Sequence, residues 1–178
     1  MQTIYEKRLP REIQFIEQYM PSYSFHESFL DENEKMNKLE IVSPHGNILR
    51  FSIPNDYPFK APVKLECNGY NYRFLLKNMP TRIHYLYTFP NEVYFREGVY
   101  IHAQRKSTKC ICCSGLLCPE NWSPVMMIHH ILSEIDGHNR LKQCIMYKLV
   151  LKDIFEKKNI PFELIRNTFE YLTLSMEK

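Results

Sequence analysis

Two β-prone runs, Leu39-Glu40-Ile41-Val42 and Ile48-Leu49-Arg50-Phe51-Ser52-Ile53, are separated only by Ser43-Pro44-His45-Gly46-Asn47. A connection this short, with Pro, Gly and Asn in it, turns the chain back on itself, so the two runs pair antiparallel. Upstream, Tyr23, Phe25 and Phe29 fall on alternate positions, as strand residues facing one side do. The Asn33–Asn37 stretch separates that run from the next. Downstream, Val63-Lys64-Leu65-Glu66-Cys67 supplies a fourth strand. Between the third and fourth runs lies Pro54-Asn55-Asp56-Tyr57-Pro58-Phe59-Lys60-Ala61-Pro62, whose prolines keep it out of a ladder and send it over the sheet. The expected result is a four-stranded antiparallel meander. A short helix over residues 10–20 precedes it, with Ile13, Phe15, Ile16 and Tyr19 as its apolar stripe and Pro21 as its stop.

After the meander the character changes twice. Residues 69–109 are rich in tyrosine (Tyr70, Tyr72, Tyr85, Tyr87, Tyr94, Tyr100) and basic. Ile83, Tyr85, Tyr87 and Phe89 alternate, and Val93, Phe95, Val99 and Ile101 flank Glu97-Gly98, a pattern of further strands and a hairpin. The last third has helical spacing. Ser123 offers an N-cap and Pro124 suits the first helical position. Val125, Ile128, Ile131, Leu132 and Ile135 make one face of a helix that should end at Asp136-Gly137. Leu141, Cys144, Ile145, Leu149 and Phe155 mark a second helix. A third restarts at Asn159-Ile160-Pro161, with Phe162, Ile165, Phe169 and Leu172.

The 178 residues fit one domain, 1–178, carrying the 69–109 segment as an insert, and 44% hydrophobic residues suffice for its core. A net charge of +3 gives no strong pull toward a polyanion. The basic Tyr-rich segment could stack nucleic-acid bases. Its tyrosines alternate with apolar residues, however, so packed strands with a solvated basic edge are the expectation and no nucleic-acid partner is assigned. No run approaches the roughly 18 apolar residues of a membrane span, and Met1 to Arg11 lacks the apolar core of a secretory signal. The six cysteines then read as reduced thiols in a cytoplasmic or nuclear compartment rather than as a disulfide framework.

Four of those cysteines and the single tryptophan crowd into Cys110-Ile111-Cys112-Cys113-Ser114-Gly115-Leu116-Leu117-Cys118-Pro119-Glu120-Asn121-Trp122-Ser123-Pro124. The residues alone leave three readings open: a placed nucleophile, a metal site, or small buried packing groups. Cys110-x-x-Cys113 has zinc-type spacing; Cys112 or Cys118 would add a third thiolate, and His102 is the available distant fourth ligand. A zinc ion there would make the thiols structural, so the metal and nucleophile readings exclude one another. His129-His130 occupies the helix face, and adjacent helical positions diverge by about a hundred degrees, too far to chelate one ion.

The element order resembles that of ubiquitin-conjugating enzymes, and two motifs carry the likeness. Tyr57-Pro58-Phe59-Lys60-Ala61-Pro62 is similar to the Tyr-Pro-Phe-Lys-Pro-Pro signature after that family's third strand. Trp122-Ser123-Pro124 is similar to the Trp-Ser-Pro that opens its second helix. The resemblance covers about residues 5–68 and 110–175. It implies a ubiquitin-conjugating fold and the transfer of ubiquitin or a ubiquitin-like protein, carried as a cysteine thioester, to a substrate lysine. Matching Leu116-Leu117 to the Leu-x-Ile-Leu stretch after the family's nucleophile gives Cys113 that role, with a spacing to Trp122 one residue longer than usual. Cys112 is second choice, and Cys118 stands too close to Trp122.

By the same resemblance, Phe59, Pro124 and Val125 are expected to dock a RING-type ligase, and Lys7, Arg8 and Arg11 an activating enzyme. The family's His-Pro-Asn, whose Asn supports the oxyanion, is missing after the fourth strand. Asn71, in Tyr70-Asn71-Tyr72, is the nearest substitute, and Asp136 stands in for the acid that orients an incoming lysine. Those departures leave a competing expectation: an inactive relative of the fold acting as a binding module, with thiols free or on zinc.

Overall fold

The computed structural model describes residues 4–31, 36–73, 115–116, 118–158, 160–161 and 164. Its architecture is mixed α/β. Helix α1 (Ile4–Tyr19) leads into strands β1 (Ser24–Asp31), β2 (Met36–Val42), β3 (Ile48–Ile53), β4 (Lys64–Cys67) and β5 (Tyr70–Asn71); a 3₁₀ turn (Pro119–Asn121) then precedes helix α2 (Ile128–Lys157). The strands form one antiparallel sheet in sequential order. The chain groups into two compact units, Met1–Asn78 with Cys112–Glu134, and Met79–Ile111 with Ile135–Lys178.

The hairpin expected between β2 and β3 forms through the predicted turn. Gly46 takes φ +74°, a left-handed conformation that only glycine adopts without strain. The Ser43 carbonyl accepts the Gly46 N–H at 2.9 Å, and the Ser43 hydroxyl accepts the Asn47 N–H at 3.1 Å. Register then sorts the sheet into two faces. Ser28, Leu39, Phe51 and Leu65 lie in one row and Phe25, Ile41, Leu49 and Cys67 in the next. Leu39, Ile41, Leu49 and Phe51 are buried almost completely. On the opposite face, Glu27, Glu40, Arg50 and Glu66 align, beside Phe29, Lys38, Ser52 and Lys64. There Arg50 bonds the Glu40 carboxylate, and Lys38 donates to Ser52 Oγ at 2.9 Å and pairs with Asp31 at 3.7 Å. Lys38 and Glu40 are themselves buried, so these partners offset the cost of desolvating them.

Four sequence expectations are corrected. In β1, a bulge between Phe25 and Glu27 inserts one residue, so Phe25 stays on the apolar face while Phe29 turns to the polar one and is 39% exposed. A fifth strand follows β4. Cys67-Asn68-Gly69-Tyr70 is a two-residue hairpin with Asn68 at φ 51° and Gly69 at φ 82°, and Asn-Gly is a strong sequence signal for that turn. Asn68 also accepts the Ile48 N–H and donates to Asn47 Oδ1, each at 2.9 Å, tying the two turns together. Helix α1 begins at Ile4 and tolerates Pro10 within it. Finally, α2 starts at Ile128 rather than after Ser123-Pro124 and runs 30 residues, through Asp136-Gly137, without a break. An interior glycine costs only about 1 kcal/mol, which a helix with buried Ile128, Ile131, Leu132 and Ile135 absorbs. The expected strands over 83–101 and the third helix from Asn159 lie outside the described residues, save residues 160, 161 and 164 of the latter.

Candidate functional site

The two motifs that carry the family resemblance meet in space. The Trp122 indole Nε1–H donates to the Pro58 carbonyl at 2.8 Å, 64 residues away in sequence. Its ring lies 5.8 Å from that of Tyr57, tilted by 40°. Local turns make this possible. Tyr57 N–H bonds Pro54 O at 3.0 Å, Phe59 N–H bonds Asp56 O at 2.9 Å, and the Tyr57–Pro58 peptide is cis. Lys60 closes the loop on Asp56 at 2.7 Å and holds that exposed carboxyl below its ordinary value. Tyr57 itself is wholly buried, while Phe59, next but one, is 62% exposed.

Beneath the Tyr57 ring sits Glu12, a carboxylate buried on helix α1 that sequence reasoning passed over. Tyr57 Oη donates to both of its oxygens, at 2.7 and 2.6 Å. Arg8 Nε donates to Oε1 at 2.5 Å, and the Ile128 N–H donates to Oε2 at 2.9 Å. Ile128 is the first residue of α2, where amide groups have no partner within the helix and the dipole favours an anion. A glutamate from one helix therefore caps another, 116 residues on. Burial and the neighbouring Glu12 charge push the Tyr57 hydroxyl above its ordinary range, which keeps it a donor. Arg8 adds a bond to Met126 O at 3.0 Å. The signal for Glu12 was present: it stands one turn from Leu9 and Ile16, both buried, on the inner face of α1.

The segment just after Cys113 is clamped from α2. The Leu116 N–H donates to Glu134 Oε2 at 2.6 Å, and the Asn121 amide donates to Gly115 O at 2.8 Å. A Cβ on Gly115 would overlap the Glu134 carboxylate, so a larger residue there would push that side chain off its bond to Leu116. The 3₁₀ turn then closes with Asn121 N–H on Cys118 O at 3.0 Å and Trp122 N–H on Pro119 O at 3.2 Å. Gly115 and Trp122, the near and far ends of this loop, are thus fixed to Asn121 and Pro58.

The expected site residues divide as follows. Cys110, Cys112, Cys113 and His102 lie outside the described residues; Cys118 is described, unbridged and 7% exposed. Phe59, Pro124 and Val125 are surface residues on the two loops joined by the Trp122–Pro58 bond, Val125 being 76% exposed. Of the three basic residues on α1, Lys7 and Arg11 face solvent, whereas Arg8 is engaged with Glu12 and Met126. Asn71 is exposed in β5, paired with Glu66. Asp136 is half-buried on α2 and belongs to the second compact unit. Among the described residues, His26, Glu27 and Glu40 bring potential metal-ligating atoms within 4.8 Å of one another, but Arg50 already occupies Glu40. Also among them, no helix is long and apolar enough to cross a membrane. Comparison with protein-family models, with curated proteins and with solved structures returned no match.

Proposed function

We propose that this chain has a ubiquitin-conjugating fold and transfers ubiquitin or a ubiquitin-like protein through a thioester on Cys113. The observation that carries the reading is the Trp122–Pro58 bond. It joins the two family-like motifs into one surface, in a chain whose helix–meander–loop–helix order is that of the family. In the reaction, the Cys113 thiolate attacks the activating enzyme's thioester carbonyl, forms a new thioester and releases that enzyme's thiol. A substrate lysine amine then attacks, an isopeptide bond forms and the Cys113 thiolate leaves. The clamp by Glu134 and Asn121 supports this role, because it stiffens the chain two residues after Cys113. Phe59, Pro124 and Val125 present an apolar, exposed pair of loops to a ligase, and Lys7 and Arg11 offer charge to the activating enzyme.

Incubation with activating enzyme, ATP and ubiquitin tests the proposal. A reductant-sensitive adduct is expected, lost on Cys113→Ala and converted to a reductant-resistant ester on Cys113→Ser. Absence of any adduct, with binding to a ligase retained, would replace transfer by the binding-module reading. A stoichiometric zinc content would assign the thiols to a structural site.

A further inference from the structure

The first turn of α2 carries two adjacent histidines, one using a ring nitrogen as an acceptor and the other holding a ring nitrogen buried and unpaired among the described residues. His130 Nδ1 accepts the Met127 N–H at 3.0 Å, while the His130 N–H donates back to Met127 O at 3.0 Å. The imidazole caps the Met127 N–H as the Glu or Gln of a capping box does, while the return bond runs to a backbone carbonyl. The acceptor bond needs a bare Nδ1, because a protonated imidazolium has only donors. His129 is the second element. Its ring stacks on Phe15 of α1 at 4.3 Å, and Phe15 in turn packs on Tyr19 at 4.5 Å. His129 Nδ1 is buried with no hydrogen-bond partner among the described residues, so a proton placed there finds no acceptor among them.

The two rings are also close, 3.9 Å between centroids. They do not diverge as adjacent positions on a regular helix would, since the His130 ring folds back onto Met127. Two protons would set like charges side by side at the positive end of the helix dipole.

We propose that the α1–α2 junction is a proton-operated latch, in which protonation of His129 loosens the first turn of α2 from α1. The charged groups facing this pair come from three elements. Glu12 and Arg8 lie on α1, Tyr57 on the loop between β3 and β4 bonds Glu12, and Glu134 lies one turn along α2, committed to the Leu116 N–H. Among the described residues, Glu12 is the group whose charge favours a proton on His129, but Arg8, Tyr57 and Ile128 already occupy its oxygens. Desolvation is the largest influence on His129 and, with repulsion from Arg8 and from any proton on the adjacent His130 ring, holds its pKa below the ordinary histidine value against the pull of Glu12. The sign follows. An unfolded or uncapped His129 takes up a proton near pH 6.5 and the latched one resists it. The latch is therefore complete above about pH 6.5 and weakens as pH falls toward the lowered value.

The latch is independent of the modifier-transfer reading, and its test needs no partner. Amide exchange at Met127, Ile128 and His130 would be measured as protection factors at pH 7.5 and pH 5.0, with Trp122 fluorescence as a second reporter. Protection is expected to drop about tenfold or more across that range, since each pH unit below a group's free pKa is worth up to a factor of ten. In His129→Phe, which keeps the stack on Phe15 without a titrating group, the drop should vanish. Equal protection at both pH values in the wild-type chain would overturn the proposal, as would an undiminished drop in His129→Phe.

Discussion

Replacing Glu12 by alanine is the perturbation that most directly probes how this fold is held together. The change removes one carboxylate and leaves three donors without their acceptor: the Tyr57 hydroxyl, the Ile128 N–H and the Arg8 guanidinium. The first two are buried, and an unsatisfied buried donor costs about 1–3 kcal/mol. Arg8 is 27% exposed, so its charge relaxes into water and adds less than a sealed ion would. The expected loss is about 3–5 kcal/mol, in the range for breaking a buried, hydrogen-bonded charge pair. Urea unfolding followed by Trp122 fluorescence suits the measurement, because Trp122 packs on Tyr57. With a denaturant slope of about 2 kcal/mol per molar, the midpoint should fall by about 2 M. Glu12→Gln should lie between, near about 1–3 kcal/mol, since its carbonyl still accepts while its amide must face a donor. Exposed Glu17→Ala is the control. If Glu12→Ala costs no more than Glu17→Ala, the cross-helix cap does not stabilise the molecule.

Other consequences follow from named contacts. Trp122→Phe keeps the ring beside Tyr57 but strips Pro58 O of its donor; a loss of about 1 kcal/mol or somewhat more is expected by urea unfolding. Gly115→Ala displaces the Glu134 carboxylate from the Leu116 N–H and should cost about 0.5–1.5 kcal/mol; on a Glu134→Ala background the same change should cost less, giving a coupling energy of about 0.5 kcal/mol in a double-mutant cycle. Phe59→Ala and Val125→Ala, at exposed positions, should change stability by no more than about 0.5 kcal/mol while abolishing ligase-stimulated transfer in a discharge assay.

The sheet was legible because strand alternation and turn chemistry are local. Pro44, Gly46 and Asn47 specify the β2–β3 hairpin whatever surrounds it, and the prolines of 54–62 keep that stretch out of the ladder. The β1 bulge was not legible: one extra residue at His26 leaves the alternation of Phe25 and Phe29 intact on paper yet moves Phe29 to the other face. Asn68-Gly69 is a hairpin signal, but the strand it opens is only two residues long, too short to show alternation. The start of α2 shows how tertiary contacts override a local signal. Ser123-Pro124 is a sound opening by propensity, yet Met126 N–H bonds Ser123 O as a turn, and the helix waits for Glu12 at Ile128. Glu12 itself was hidden because a charged residue in an apolar stripe reads as a flaw until its partners, 45 and 116 residues away, are known. The proposed docking residues gained a physical link, through Trp122 and Pro58, that spacing could only suggest.

The proposed transfer rests on Cys113 carrying the modifier. Peptide mass spectrometry of any trapped adduct, after reaction with activating enzyme, ATP and ubiquitin under non-reducing conditions, identifies the cysteine directly. The ubiquitin carboxyl terminus is expected on Cys113, with buried Cys118 unmodified. Modification of Cys118, or no cysteine modified at all, would contradict the proposal.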